Sequence, residues 1–155
     1  MEMKGDFGVE SGIDRVWAIV SDAREFTKCL PDVKSSEIDG DKFRLTFGVD
    51  IREYTKGFLG ASYMSNMNVK FKAEIKEKEP QKHVYIAGDA SAFGMKFSIG
   101  LSIDLSAGTG NVKVTWVAYM DVGGFAKIFG ADVIDKAAKT IVEQIVANLK
   151  EQLKK

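Results

Sequence analysis

His83 and Cys29 are the single histidine and the single cysteine among 155 residues, and they limit the chemistry that the side chains could perform. Catalysis of the Ser–His–Asp or Cys–His kind would have to use His83. A zinc site needs several nitrogen or sulfur ligands, which one histidine and one distant cysteine do not supply. Because His83 opens a predicted strand, we interpret it as a surface or edge residue rather than a catalytic one.

Two pairs of carboxylates, Asp39 with Asp41 and Glu77 with Glu79, have the close spacing that general acid–base catalysis uses. Both pairs flank predicted turns, where acidic residues are commonly solvated. The sequence therefore predicts no catalytic residue, no metal site and no cofactor.

The charge balance and the length are those of an ordinary globular protein. Lys and Arg together number 22, as do Asp and Glu, so no net charge attracts nucleic acid or an anionic membrane. We expect one domain, residues 1–155, in a reducing cytoplasm that suits a lone cysteine. The start of the chain lacks the apolar segment of a signal peptide, and we expect no membrane span, although transient membrane contact stays compatible with the pattern.

Alternation of apolar and polar residues predicts about seven strands. The first covers Met3 to Val9, and six more follow one another between Val33 and Val122, most of them joined by short turns such as Asp39-Gly40. Consecutive strands with short turns pair in antiparallel fashion, because parallel neighbours need long crossovers.

Two short helices are predicted between the first two strands. Ser11-Gly12-Ile13-Asp14 has the spacing of a helix start, with the Ser11 hydroxyl as the expected cap. The second helix is predicted over Ala23 to Leu30 and ends before Pro31, since a proline disfavours helical geometry in the residue before it.

A long amphipathic helix is predicted at the end of the chain. From Gly124 to Lys155 the apolar residues are spaced by three and four, with a kink expected at Gly130. About 30 helical residues extend roughly 40 Å. A bent antiparallel sheet with this helix across its concave face could enclose a space.

Small residues on the inward rows and within the strands bear on whether that space is hollow. They are Ala73, Ala118, Ala137, Ala138, Gly48, Gly88 and Gly100. Strand glycines often mark bends, which would open a hollow, but small residues also let a helix pack tightly against a sheet. The residues alone leave both readings open.

Three segments, in the expected order, resemble one protein family. They are Phe7–Trp17, the run Val16–Asp22 followed by Cys29-Leu30-Pro31-Asp32, and Val122–Gly130. These motifs resemble the carbon monoxide dehydrogenase G-subunit (CoxG-like) family of the START-like, or polyketide cyclase (SRPBCC), superfamily, over nearly the whole chain. Asp32 replaces the glycine that the family pattern has after the proline, and the stretch 52–68 is longer than usual.

The resemblance implies an α+β helix-grip fold, in which a curved seven-stranded antiparallel sheet wraps around a long C-terminal helix, with two short helices after strand 1 and a hydrophobic cavity inside. It also implies a non-catalytic carrier of a lipid or quinone-like molecule, accessory to a molybdenum-containing carbon monoxide dehydrogenase. Two alternatives stay open: a recruitment or assembly factor that acts through its surface, and a cyclase or isomerase that uses the same cavity. The expected partners are a hydrophobic small molecule and a molybdenum hydroxylase-type enzyme, and the protein is expected to be a monomer or a homodimer.

The expected cavity residues lie on the inward rows of the strands and on the facing side of the long helix. They are Phe47, Phe71, Phe97, Leu101, Trp116, Ala118, Met120, Phe129, Val133, Ile134, Ala137 and Ile141. Tyr85 or Tyr119 could add a polar group, although alternation places Tyr119 on the outer face.

The stretch 52–68 is interpreted as a lid over the cavity, since glycines permit hinge motion and methionines adapt to varied apolar surfaces. The candidate lid residues are Tyr54, Phe58, Leu59, Tyr63, Met64 and Met67. A longer hairpin, a strand broken by a bulge, or a dimer contact through Phe58 and Leu59 would fit the same stretch.

Overall fold

Seven antiparallel strands form one sheet in a computed structural model that describes residues 1–50 and 66–154. The sheet order is β1-β7-β6-β5-β4-β3-β2, so the first strand pairs with the last and closes the meander on one side. The predicted seven-stranded antiparallel sheet is confirmed. The strands are β1 Glu2–Val9, β2 Val33–Asp39, β3 Lys42–Asp50, β4 Asn66–Glu79, β5 His83–Ala92, β6 Met95–Ala107 and β7 Val112–Asp121.

The two short helices predicted after β1 are present, as α1 Ile13–Val20 and α2 Ala23–Thr27, although α2 ends three residues before the predicted Leu30. The predicted Ser11 cap is wrong. Helix α1 begins after Gly12, which has extended backbone angles and offers no capping side chain, so Ser11 lies one residue too early. Helix α2 does have a side-chain cap, because the Asp22 carboxylate accepts a hydrogen bond from the Arg24 N–H at 2.8 Å.

The long C-terminal helix is confirmed, but it is divided at Gly130. The six-residue helix α3, Gly124–Phe129, precedes the 24-residue helix α4, Ala131–Lys154. Gly130 has φ 85° and ψ 150°, a conformation that is essentially restricted to glycine. The sequence predicted a kink here, whereas the backbone angles of this one glycine interrupt the helix altogether.

The tightly packed part of the core lies where the inward rows of the strands meet α1 and α2. Val16 on α1, Val84 on β5 and Val112 on β7 are each almost completely buried. Close approach of the β4 and β5 backbones depends on Gly88, because a Cβ at this position would lie 2.2 Å from the carbonyl oxygen of Lys72.

The C-terminal half of α4 is fastened to the helices at the start of the chain. Leu149 is buried with Ile19 and Cys29 in a small cluster of its own. The Asn148 side-chain amide donates a hydrogen bond to the Cys29 carbonyl at 2.9 Å, and the Arg15 guanidinium donates one to the carbonyl of Gln152 at 3.1 Å. This half of the helix therefore has a fixed position relative to α1 and α2.

Candidate functional site: an apolar cavity between the sheet and helix α4

A cavity of about 240 Å³ lies between the concave face of the sheet and helix α4. Its lining combines inward rows of strands with residues of α1, α2 and the segment between α2 and β2, and with the facing side of α3 and α4. All of the lining residues are hydrophobic in type. Such a site excludes charge and favours an apolar occupant.

The structure brings all twelve residues of the predicted cavity set into this lining. Their role in binding a ligand is a separate matter and stays a prediction. Many of the remaining lining residues follow from the same two periodicities. On strands and on α4 they are Met3, Phe7, Val69, Ile86, Ile99, Ile103, Val114, Val122, Ala138, Val142, Ile145, Val146 and Leu149.

Four lining residues near the start of the chain were missed by sequence reasoning: Val20, Phe26, Cys29 and Leu30. Periodicity marks Val20 and Phe26 as apolar-face residues of short helices. It carries no signal for where those helices dock, and only their tertiary placement brings these side chains to the cavity.

The space exists because α4 stands away from the strands. The backbone of α4 comes close to the backbones of α1 and α3 at more positions than to the backbone of any single strand. Val133, Ile134 and Ile141 face the sheet, yet each is only half-buried. Side chains on a tightly packed helix face would be fully buried, so the structure favours the hollow reading of Ala118 and Ala138 over tight packing, whereas Ala137 is buried.

Burial of the inward row on β7 changes along the strand. Val112 and Val114 are buried, whereas Trp116, Ala118 and Met120 are half-buried. The strand end near Val112 therefore belongs to the solid core, and the strand end near α3 borders the open part of the cavity.

Polar atoms are scarce in the described lining, and Cys29 carries one of the few. The thiol lies 3.7 Å from the carbonyl oxygen of Glu25. Burial, reinforced by the negative charge of Glu25, raises the pKa of the Cys29 thiol to about 11. Cys29 therefore stays protonated near neutral pH and is a poor nucleophile.

Trp116 carries the other side-chain donor of the described lining. Its indole ring lies across Gly5 on the neighbouring strand β1, and a Cβ at Gly5 would lie 2.8 Å from Cζ2 of the ring. The Nε1–H of Trp116 donates no hydrogen bond to any residue that the structure describes.

The two tyrosines considered as polar groups both lie on the outer face of the sheet. Tyr119 is 50% exposed, as alternation predicted. The suggestion that Tyr85 could reach the cavity is wrong, because Val84 and Ile86 are the buried inward residues of β5 and the Tyr85 hydroxyl lies over Gly100 outside.

His83 lies outside the cavity lining, at the start of β5. This strand is central, so the residue is not at a sheet edge, but its position on the surface is as predicted. Its Nδ1 lies 2.9 Å from Asp104 and its Nε2 lies 3.3 Å from Glu77. Partial burial opposes protonation, but the hydrogen bonds and charges of Asp104 and Glu77 outweigh it and raise the pKa of His83 above its ordinary value.

Of the four turn carboxylates, Asp41 and Glu77 have partners on the surface of the protein, Lys78 and His83. Asp41 forms an ion pair with Lys78 at 2.6 Å, and neither residue lines the cavity. Within residues 1–50 and 66–154, no group of three His, Cys, Asp or Glu side chains could hold a metal ion. In the same part of the chain, no helix is long and apolar enough to cross a membrane.

The predicted lid falls mostly outside the described residues. This applies to Tyr54, Phe58, Leu59, Tyr63 and Met64, and with them to the alternative dimer contact. Met67 belongs to β4, where its backbone pairs with Val49 of β3.

Comparison with known proteins gives one family match and several structural matches. The model of the family described as the carbon monoxide dehydrogenase G-subunit (CoxG) matches residues 5–154. No curated protein matches the sequence.

Three solved structures illustrate the likeness in fold. A conserved protein from Geobacillus kaustophilus has a TM-score of 0.79 at 17% identity, covering 99% of this chain and 95% of the other. A START superfamily protein from Mycobacterium smegmatis has a TM-score of 0.67 at 11% identity, covering 99% and 97%. A protein from Thermus thermophilus has a TM-score of 0.63 at 12% identity, again covering 99% and 97%.

At these identities the solved structures show the fold alone, which is a START-like helix-grip fold. The family match rests on the sequence itself and extends over nearly all of it. The chain therefore belongs to the carbon monoxide dehydrogenase G-subunit (CoxG) family.

Proposed function

We propose that this protein is a non-catalytic carrier that holds a hydrophobic small molecule, of a lipid or quinone-like kind, in the cavity between the sheet and α4. The observation that supports the proposal is the cavity itself, lined by hydrophobic residues and bordered by half-buried side chains of α4. Burial of a ligand's apolar surface in this cavity contributes a favourable binding free energy of about 25 cal/mol per Å².

The size of the cavity favours a compact ligand, or the compact part of a longer one. Its volume of about 240 Å³ exceeds the roughly 150 Å³ of an engineered cavity that binds benzene. It lies below the roughly 300–1,000 Å³ usual for drug-sized ligands. A long acyl or isoprenoid chain would therefore extend beyond the cavity or require α4 to move.

A fluorescent apolar probe tests this function. We expect 1-aminoanthracene to bind wild-type protein saturably, with strong fluorescence enhancement. Ala118→Phe places a ring in the cavity and should weaken binding by about tenfold or more. Ala87→Phe makes the same change on the outer face of the sheet, beside Gly100, and should leave binding unchanged.

Unfolding in urea supplies the folding control for these variants. Ala118→Phe fills a hollow, so its free energy of unfolding should stay within about 1 kcal/mol of wild type. A stably folded Ala118→Phe variant that still binds the probe as tightly as wild type would argue against the cavity as the binding site.

An accessory role beside a molybdenum-containing carbon monoxide dehydrogenase is the proposed context, supported by the family to which the chain belongs. Recovery of a molybdenum hydroxylase-type enzyme in a pull-down would support it. Recovery that is equally strong with Ala118→Phe would favour recruitment through the surface over delivery of a ligand. The cytoplasmic location and the choice between monomer and homodimer stay predictions.

A cyclase or isomerase would need titratable groups that face its substrate. In the described lining Cys29 is the residue with a titratable side chain, and burial holds its thiol in the protonated form. The carrier therefore accounts better for this cavity than an enzyme does.

A further inference from the structure

Helix α3 borders one end of the cavity and lies between two glycines with positive φ. Gly123 has φ 43° and Gly130 has φ 85°, and no described atom lies within 4 Å of a Cβ built at either position. Glycine adopts such angles without the steric penalty of a side chain. Rotation at these two positions would therefore move α3 as a unit, as in a segment with a hinge at each end.

The attachments of α3 are fewer than those at the opposite end of the cavity. There the second half of α4 is held by the hydrogen bonds of Asn148 and Arg15 and by the buried side chain of Leu149. The backbone of α3, in contrast, comes close mainly to that of α4. Among the described side chains of α3, Phe129 alone is buried, whereas Ile128 is 54% exposed. Movement of α3 would consequently disturb little of the packed core.

Phe129 is the residue through which α3 closes its end of the cavity. It is buried and lines the cavity, together with Val122 and Val133, which flank α3 in the sequence. The centroid of its ring lies 5.8 Å from that of Phe93, with 37° between the ring planes. Phe93 is at the tip of the β5–β6 hairpin, is 42% exposed and does not line the cavity. The contact between the two rings thus holds α3 against the hairpin from outside the binding site.

The hairpin turn itself does not account for a phenylalanine at position 93. Phe93 and Gly94 have φ 51° and 77°, the positive values of a two-residue turn of type I′. Asparagine and aspartate suit the first position of such a turn, whereas a bulky side chain is strained there. Strain of this kind persists where the surrounding structure compensates for it, and it is common at clamps and switches. The compensation here is the contact with Phe129.

We propose that α3 is a gate to the cavity, hinged at Gly123 and Gly130 and held closed by the contact between Phe93 and Phe129. Opening moves the Phe129 ring out of the cavity wall, at the end of the cavity that Met120 borders. The inference rests on the proposed carrier function, because it concerns how a ligand enters and leaves the same cavity. Since the ring contact exists in the closed state with or without a ligand, it sets the rates of entry and release and not the affinity.

Phe93→Asn removes the ring and supplies a residue that the turn favours, so the hairpin stays folded. Binding and release of 1-aminoanthracene are followed by stopped-flow fluorescence. We expect the association and dissociation rate constants to rise together by about two- to tenfold, the effect of one aromatic pair, while the dissociation constant changes less than twofold. Tyr119→Thr is the control, since it removes an exposed ring from the outer face of the sheet and should change neither rate constant.

Hydrogen–deuterium exchange in the absence of a ligand tests the gate separately from binding. Peptides that cover residues 123–130 should exchange severalfold faster in Phe93→Asn than in wild type, because the closed state has lost its ring contact. Peptides that contain Leu149 should exchange equally in the two proteins, since the second half of α4 keeps its own attachments.

The outcomes separate the gate from the proposed function. Unchanged rate constants or unchanged exchange in Phe93→Asn would overturn the gate and leave the carrier intact. A rise in the dissociation rate constant alone would assign Phe93 to ligand binding and would also overturn the gate. Failure of wild-type protein to bind the probe would overturn the carrier and the role of α3 in ligand passage, whereas faster exchange in Phe93→Asn would still support the hinge.

Discussion

At the scale of single residues, the contacts of His83 give a prediction about stability, although the residue lies outside the cavity. It contacts Asp104 of β6 and Glu77 of β4, and so connects three adjacent strands at one end of the sheet. These contacts stabilise the protonated imidazolium, which raises the pKa of His83 in the folded state.

The sign of the resulting pH dependence follows from the direction of this shift. Stabilisation by a raised pKa is fully present below the unfolded pKa of about 6.5 and is lost as pH rises through the folded pKa. We therefore expect His83→Gln to lower the free energy of unfolding more at pH 5 than at pH 9, measured by urea denaturation. Since the chain has one histidine, no other imidazole contributes to the difference. An equal loss at both pH values would contradict the assignment.

The residues that line the cavity were largely predictable from the sequence, but the existence of the cavity was not. Alternation along β7 placed Trp116, Ala118 and Met120 inward, and the structure agrees. Whether Ala118 faces a void or a neighbour depends on how far α4 stands from the sheet, which the side chains of one strand do not encode. That the Trp116 N–H finds no acceptor among the described residues is likewise a property of the assembled structure.

At the scale of elements, strands were predicted better than helix ends. Period-two alternation is a strong signal because a shift of one residue would expose a whole apolar row. The helix start after Gly12 was misplaced by one residue, since Ser11 fits a capping pattern that the backbone does not use. Docking of α1 and α2, which brings Phe26 and Leu30 to the cavity, depends on long-range packing that a local pattern does not contain.

The interruption between α3 and α4 gives a prediction at this scale. Gly130 has backbone angles that other residues rarely adopt, and nothing lies within 4 Å of a Cβ built there. We expect Gly130→Ala to lower the free energy of unfolding by about 1–3 kcal/mol through backbone strain alone. Thermal and urea denaturation would measure the loss.

Gly124→Ala is the control for that substitution. Gly124 lies within α3 without a positive φ, and a Cβ there would contact only Met95, at 3.9 Å. Alanine favours helix, so this variant should be at least as stable as wild type. Equal stability of Gly130→Ala and Gly124→Ala would show that a side chain at position 130 causes no backbone strain.

At the scale of the whole molecule, the order of elements predicted the fold. One strand, two short helices, six strands and a long helix leave few arrangements in which the apolar rows meet a single amphipathic helix. The order of the elements alone does not predict the cavity. It arises because α4 is fastened at its C-terminal half through Leu149 and Asn148, while its first half faces the sheet with half-buried side chains.

The central claim is that this cavity holds an apolar molecule, and the most direct test is mass spectrometry of an organic extract from purified protein. We expect wild-type protein and Ala87→Phe to yield the same apolar species in near-stoichiometric amount. Ala118→Phe, purified in parallel, should yield little of it. Repeated absence of any apolar species from wild-type extracts, or equal recovery from folded Ala118→Phe, would contradict the account.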